Sequence, residues 1–125
     1  MAARGRGGGM ISLSTHVLDT MHGCPAVGVD VVLSDGAGAG LYRGVTNGDG
    51  RCPDLPRLTP GRYRLAFGVA AYYRARGVAL ADPPFLDVVT IDFGVSGDFG
   101  VAGESGHYHV PLLVAPYGYS TYRGS

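Results

Sequence analysis

Apolar and polar residues alternate from Ile11 onward, with Ile11, Leu13, Thr15 and Val17 on one face and Ser12, Ser14, His16 and Leu18 on the other. Such period-two alternation predicts a strand with one buried face. Val27, Val29, Val31 and Leu33 repeat it, after a segment, 21–27, whose glycine and proline predict a bend. The glycine-rich run 35–40 reads as a turn and not as a phosphate loop, because strand-like Leu41-Tyr42-Arg43 follows it where a phosphate loop opens a helix. Asn47-Gly48 and Asp49-Gly50 supply tight turns, so Arg51 leaves a turn-rich loop. Tyr63, Leu65 and Phe67 mark another strand. Residues 70–76 form the one predicted helix, which is short, with Asp82-Pro83-Pro84 as its stop. Val89, Ile91, Phe93 and Val95 alternate again, and 96–106 reads as a long hairpin connection into a last apolar strand, 107–114, and an aromatic-rich terminal segment, 116–122. Seven or eight short strands at this spacing predict an all-β fold, a two-sheet β-sandwich with one short helix.

Length and composition change this picture mainly by exclusion. At 125 residues the chain fits one domain, assigned to 11–125, preceded by an arginine- and glycine-rich flexible tail over 1–10. The 22 glycines and eight prolines fall between apolar strands, and 46% apolar content argues against disorder. Ten acidic residues balance ten arginines with no lysine, which leaves no excess charge for a nucleic-acid backbone. No apolar run approaches the roughly 20 residues of a membrane span. The expectation is a cytoplasmic protein with no nucleic-acid or membrane partner. Cys24 and Cys52 are then read as free thiols in a reducing compartment, and a cysteine nucleophile would need a base that the sequence does not place beside either.

Candidate chemistry gathers on polar strand faces. In His107-Tyr108-His109 the two imidazoles share one face and Tyr108, Val110 and Leu112 the other, while His16 shares its face with Ser12 and Ser14. Histidine titrates nearest neutral pH and suits a general base. The same H-x-H spacing, completed by His16 or His22, also suits zinc. Without a cysteine or carboxylate motif to reinforce it, a metal-free, cofactor-free site ranks first.

Three separated motifs, Ser14-Thr15-His16-Val17-Leu18-Asp19-Thr20 with Gly23 and Pro25-Ala26, Thr46 to Arg51, and His107 to Leu113, together with the ending Tyr122-Arg123-Gly124-Ser125, resemble those of the transthyretin-like 5-hydroxyisourate hydrolases. The resemblance covers about 11–125. It implies a transthyretin-like sandwich assembled as a homotetramer whose central channel holds the sites. It further implies hydrolysis of 5-hydroxyisourate to 2-oxo-4-hydroxy-4-carboxy-5-ureidoimidazoline in urate degradation. His16, Arg51 and His109 match the family's catalytic positions, and Tyr122, Arg123, Gly124 and Ser125 its substrate-lining tail. Chemically, either His16 or His109 suits activation of water, and the planar forks of Arg51 and Arg123 suit a flat, acidic heterocycle. Transthyretin itself carries small aromatic hormones on the same architecture, so the residue set and not the fold discriminates enzyme from carrier.

Overall fold

The computed structural model describes residues 11–97 and 106–124; the expected 1–10 tail, most of the 96–106 connection and Ser125 lie outside the described residues. The strands are β1 (Ser12–Ser14), β2 (Val17–Asp19), β3 (Cys24–Pro25), β4 (Asp30–Asp35), β5 (Gly40–Val45), β6 (Gly61–Gly68), β7 (Val88–Val95), β8 (His107–His109), β9 (Leu112–Ala115) and β10 (Gly118–Thr121), with one helix, α1 (Val69–Ala75), after β6. One sheet has the order β10-β9-β2-β3 and the other β5-β4-β6-β7, with a two-stranded ladder β1-β8 beside the first. Val17, Leu112 and Val114 from one sheet and Val31, Leu33, Leu65 and Phe67 from the other are fully buried. Each comes from the apolar parity of its strand, so alternation alone selects the core face.

The β1-β8 ladder and the β2-β9 ladder are one parallel strand pair with a local break. Ser12 faces His107 and Ser14 faces His109, and Val17 then faces Leu112 in the same register. Across the break, the Val110 amide donates to the Ser14 carbonyl at 2.9 Å and the Leu112 amide to the His16 carbonyl at 2.9 Å. Pro111 has no amide to donate, which is enough to interrupt regular pairing there. Thr15, a polar residue on the inward parity, is buried and donates its hydroxyl to the Val110 carbonyl at 2.7 Å.

Several expectations need correction. Residues 107–114 form two strands, not one, because of Pro111. The 96–106 connection is not a hairpin: β7 pairs with β6, whereas β8 pairs in parallel with β1, so the chain crosses between sheets. Antiparallel neighbours accept short links, but a parallel pairing formed from the chain's two ends needs a crossover. The helix stops at Gly77 and not at Pro83. Gly77 takes φ +82°, the Gly77 amide bonds the Arg74 carbonyl and the Val78 amide bonds the Tyr73 carbonyl, both at 3.0 Å, the paired bonds of a Schellman cap. Val27 is exposed before β4 begins, and the described residues form ten strands where seven or eight were expected. No helix among the described residues is long and apolar enough to cross a membrane.

Candidate active site

The parallel pairing of β1 with β8 decides where the polar residues meet. Its register sets Ser12 beside His107 and Ser14 beside His109, all on the outward parity, and the same offset carries His16 alongside Pro111. Leu18 and Leu113 face each other farther along the same outward surface. Ser14 Oγ lies 2.7 Å from His109 Nδ1 and 3.1 Å from His107 Nε2, and Ser12 Oγ lies 2.5 Å from His107 Nδ1. The histidine face is thus a hydrogen-bonded patch, half-buried at His109 and open at His107.

Arg51 arrives at this patch through its turn. The Asn47 side-chain oxygen accepts the amides of Asp49 at 2.9 Å and Arg51 at 3.1 Å, an Asx-type closure. Gly50 is held at φ +75°, where its carbonyl accepts the Val17 amide at 2.8 Å and a Cβ would stand 2.5 Å from the Val17 carbonyl oxygen. Only glycine fits, and this contact fixes the turn against the strand that carries His16. Arg51 is exposed, and among the described residues its guanidinium has no hydrogen-bond partner.

Burial first, and then electrostatic repulsion from Arg51, His107 and His16 against a charged ring, hold the His109 imidazole below the usual histidine pKa. Both causes disfavour the imidazolium. His109 therefore stays neutral, with a free lone pair, to lower pH than an ordinary histidine. The coupling also shows that His16, Arg51, His107 and His109 share one electrostatic environment.

The C-terminal residues reach the same strand but divide between its faces. The Gly124 amide donates to the His109 carbonyl at 2.8 Å, and a Cβ on Gly124 would stand 2.5 Å from His109 Cδ2, so the tail lies directly on the imidazole. Arg123 turns the other way: its guanidinium stacks 3.9 Å from the centre of the Tyr108 ring and donates to the His107 carbonyl at 3.2 Å. Tyr122 and Arg123 line an apolar cavity of about 250 Å³ with Ile91, Tyr108 and Val110. Another cavity, of about 520 Å³, lies over the second sheet between Arg62, Arg64 and Asp92. Neither includes the histidines. Of the sequence-predicted site residues, then, His16, Arg51, His109 and Gly124 come together on one surface. Tyr122 and Arg123 sit behind it, and Ser125 is outside the described residues. Ser12, Ser14 and His107 were legible only as neighbours by parity, because nothing in the sequence fixes the pairing of two strands 95 positions apart.

Among the described residues no three histidine, cysteine, aspartate or glutamate side chains converge to hold an ion. His22 instead bonds Asp19 through Nδ1 at 2.6 Å. Cys24 and Cys52 are both free, and burial pushes the Cys52 thiol pKa up.

A family model described as HIUase/transthyretin matches residues 13–124. The chain belongs to that family. It is 49% identical to the 5-hydroxyisourate hydrolase of Pseudomonas aeruginosa over the full length of both chains. Among solved structures, that of Klebsiella pneumoniae 5-hydroxyisourate hydrolase is 38% identical and superposes with a TM-score of 0.76 over 94% of this chain and 95% of that one. Sea bream transthyretin in complex with thyroxine is 27% identical, with a TM-score of 0.75 over 90% of this chain and 93% of that one. The fold is therefore shared by a 5-hydroxyisourate hydrolase and a thyroxine-bound transthyretin, so the fold alone does not fix the function.

Proposed function

We propose that this protein hydrolyses 5-hydroxyisourate to 2-oxo-4-hydroxy-4-carboxy-5-ureidoimidazoline. The observation that carries the reading is the meeting of His16, Arg51, His109 and Gly124 on one outward surface, in a chain half identical to a protein of that name. The product retains the carbon that was a ring carbonyl as a carboxyl group and the nitrogen it was bonded to as part of a ureido group, so water must add to that carbonyl and the ring C–N bond must break. Neutral His109 takes a proton from the attacking water at Nε2, the nitrogen left free when Ser14 holds Nδ1. Arg51 brings a permanent charge and a planar donor fork to the oxygen that becomes an oxyanion. Collapse of the adduct breaks the C–N bond, and the leaving nitrogen takes a proton from one of the two imidazoles, His16 or His109. No step calls on a metal or cofactor. Arg123, stacked on Tyr108, supports the site by holding the tail so that Gly124 covers His109.

The surface is open on one side in a single subunit, which favours a homotetramer in which a second copy closes it. Phe85, Tyr117 and Tyr122 are 71%, 69% and 60% exposed, and the rings of Phe85 and Tyr117 are 6.1 Å apart. Large exposed aromatic rings of this kind mark surfaces that association buries. Light scattering should give a tetramer in dilute solution, and an active monomer would contradict this assembly.

The deciding experiment follows the ultraviolet absorbance of freshly generated 5-hydroxyisourate with and without the protein. Decay well above the spontaneous rate is expected, and it should survive prolonged chelator treatment. Binding without acceleration would favour the carrier reading.

A further inference from the structure

We propose that Ser12, His107 and Ser14 form with His109 a proton relay, in which Ser14 is the positioning residue that sets the His109 tautomer and His107 passes the proton on to solvent. This rests on the reading of His109 as the working base. Its basis is an unbroken series of contacts between alternating hydroxyl and imidazole groups: His109 Nδ1 to Ser14 Oγ, Ser14 Oγ to His107 Nε2, and His107 Nδ1 to Ser12 Oγ. Register places every member on the outward parity of one strand pair, and the series runs from half-buried His109 to exposed His107.

The donors and acceptors are satisfied in two ways, each consistent along the whole series. In one, His109 Nδ1–H donates to Ser14, Ser14 O–H donates to His107 Nε2, and His107 Nδ1–H donates to Ser12. His109 Nε2 is then a bare lone pair, the form a general base needs. In the other, every bond is reversed and His109 Nε2 carries a proton. A hydroxyl between two imidazoles can interconvert the two because it both donates and accepts.

The proton balance follows directly. Water gives a proton to His109 Nε2. The resulting imidazolium releases its Nδ1 proton to Ser14 Oγ as the Ser14 proton moves to His107 Nε2, and the His107 Nδ1 proton moves to Ser12 Oγ as that hydroxyl releases one to bulk water. One proton has then left the nucleophile and one has reached solvent, and the series stands in its reversed form with His109 protonated at Nε2. When the C–N bond breaks, His109 gives that Nε2 proton to the leaving nitrogen as Ser12 takes one from bulk water and each transfer runs backward, which restores the first form. The acid product then ionises and sheds the one proton of the net reaction, so the series holds and returns the proton of the nucleophile by a route that does not cross the bound substrate. Among the described residues the groups facing His109 are Ser14, Arg51, His107, His16 and the Gly124 backbone, none of them a carboxylate. Among the described residues no acidic side chain is therefore at hand to take the proton of the water instead.

Three variants test this. Ser14→Ala removes the bridge, His107→Gln keeps a polar side chain that cannot relay, and Ser14→Thr restores the hydroxyl on a strand-compatible residue. Ser14→Ala and His107→Gln should each lower kcat about tenfold, the lower end of what losing the partner that orients a working imidazole costs, with KM within about twofold. Ser14→Thr should recover most of the loss. The curved dependence of kcat on the deuterium content of the solvent, expected when several protons move together, should become linear in both impaired variants. Ring nitrogen NMR gives a readout independent of turnover: His109 should carry its proton on Nδ1 in the parent and become a tautomer mixture in Ser14→Ala. A parent protein that leaves 5-hydroxyisourate at its spontaneous rate would overturn the proposed function and the proton exit with it, while the NMR result still decides the tautomer. Variants with parental kcat and a parental His109 spectrum would overturn the relay itself.

Discussion

Two histidine clusters in this molecule use similar groups for opposite ends. On the outward face His109 is held by a serine hydroxyl, has no carboxylate partner among the described residues and faces Arg51 and two further imidazoles. Under α1, His22 is paired with a carboxylate, the arrangement more often associated with catalysis, yet that carboxylate is fully engaged. Asp19 is 1% exposed and accepts from His22 Nδ1 at 2.6 Å, the His22 amide at 3.1 Å, the Tyr72 hydroxyl at 2.7 Å and the Tyr73 hydroxyl at 2.9 Å. Tyr73 shares its single proton with the Val114 carbonyl at 2.8 Å. Burial pushes the Asp19 carboxyl up, but the bonds from His22, Tyr72 and Tyr73 outweigh it and hold the pKa at about 2, down from 3.8. In turn, burial and then the Asp19 carboxylate push Tyr72 up to about 12. A saturated acceptor organises structure, since it fastens the helix to β2, while an under-partnered imidazole beside a charged arginine keeps reactive capacity. The lesson is to count what remains unsatisfied, not which residue types are present.

The largest effect should come from breaking the interior cluster. Asp19→Ala leaves several buried donors without an acceptor and should cost about 3–5 kcal/mol, lowering the melting temperature by roughly 10 °C or more. The same carboxylate gives an acid signature: because its folded pKa is depressed, its stabilisation is present above the unfolded value and is lost as pH falls through about 2. Acid unfolding followed by circular dichroism should therefore be less steep in Asp19→Asn than in the parent.

His109→Ala should do the reverse, lowering kcat by about 10²-fold with little change in melting temperature, because the side chain faces away from the core. Equal kinetics in this variant would sink the assignment of the outward face as the active one. Gly124→Ala sharpens the contrast at smaller scale. Its Cβ must displace the His109 ring, so a loss of roughly tenfold in kcat is expected without global destabilisation. The smallest effect is one of profile shape. Burial and then the neighbouring Arg51 charge lower the His109 pKa, so the acid limb of kcat/KM should fall below the ordinary histidine value. Arg51→Gln should move that limb upward toward the ordinary value, whatever it does to the plateau height.

The parity of each strand was readable because burial on one face leaves a period-two record, as Leu65 and Phe67 or Val17 and Thr15 illustrate. The motif resemblance named His16, Arg51 and His109 and the tail, and the structure brings those three side chains and Gly124 together. Two kinds of feature escaped. Helix termination was assigned to Pro83, although Gly77 already supplied the left-handed turn; both residues are stops, and only the capping bonds decide which acts. The other is the contact of Arg123, named with the substrate-lining tail by the motif resemblance: its guanidinium stacks on the Tyr108 ring, a cation–π contact that no spacing announces.

What the sequence by itself determined is local: which residues alternate, where glycine or proline must bend the chain, and which face of each strand is polar. These follow from sterics and solvent exposure acting over a few residues. The tertiary structure decided everything that depends on pairing across the chain. Ser14 meets His109 only because β1 and β8 align in parallel, and Arg51 meets them only because Gly50 closes on Val17. Long-range register arises from the simultaneous burial of both sheets' apolar faces, a property of the whole chain that no single segment encodes.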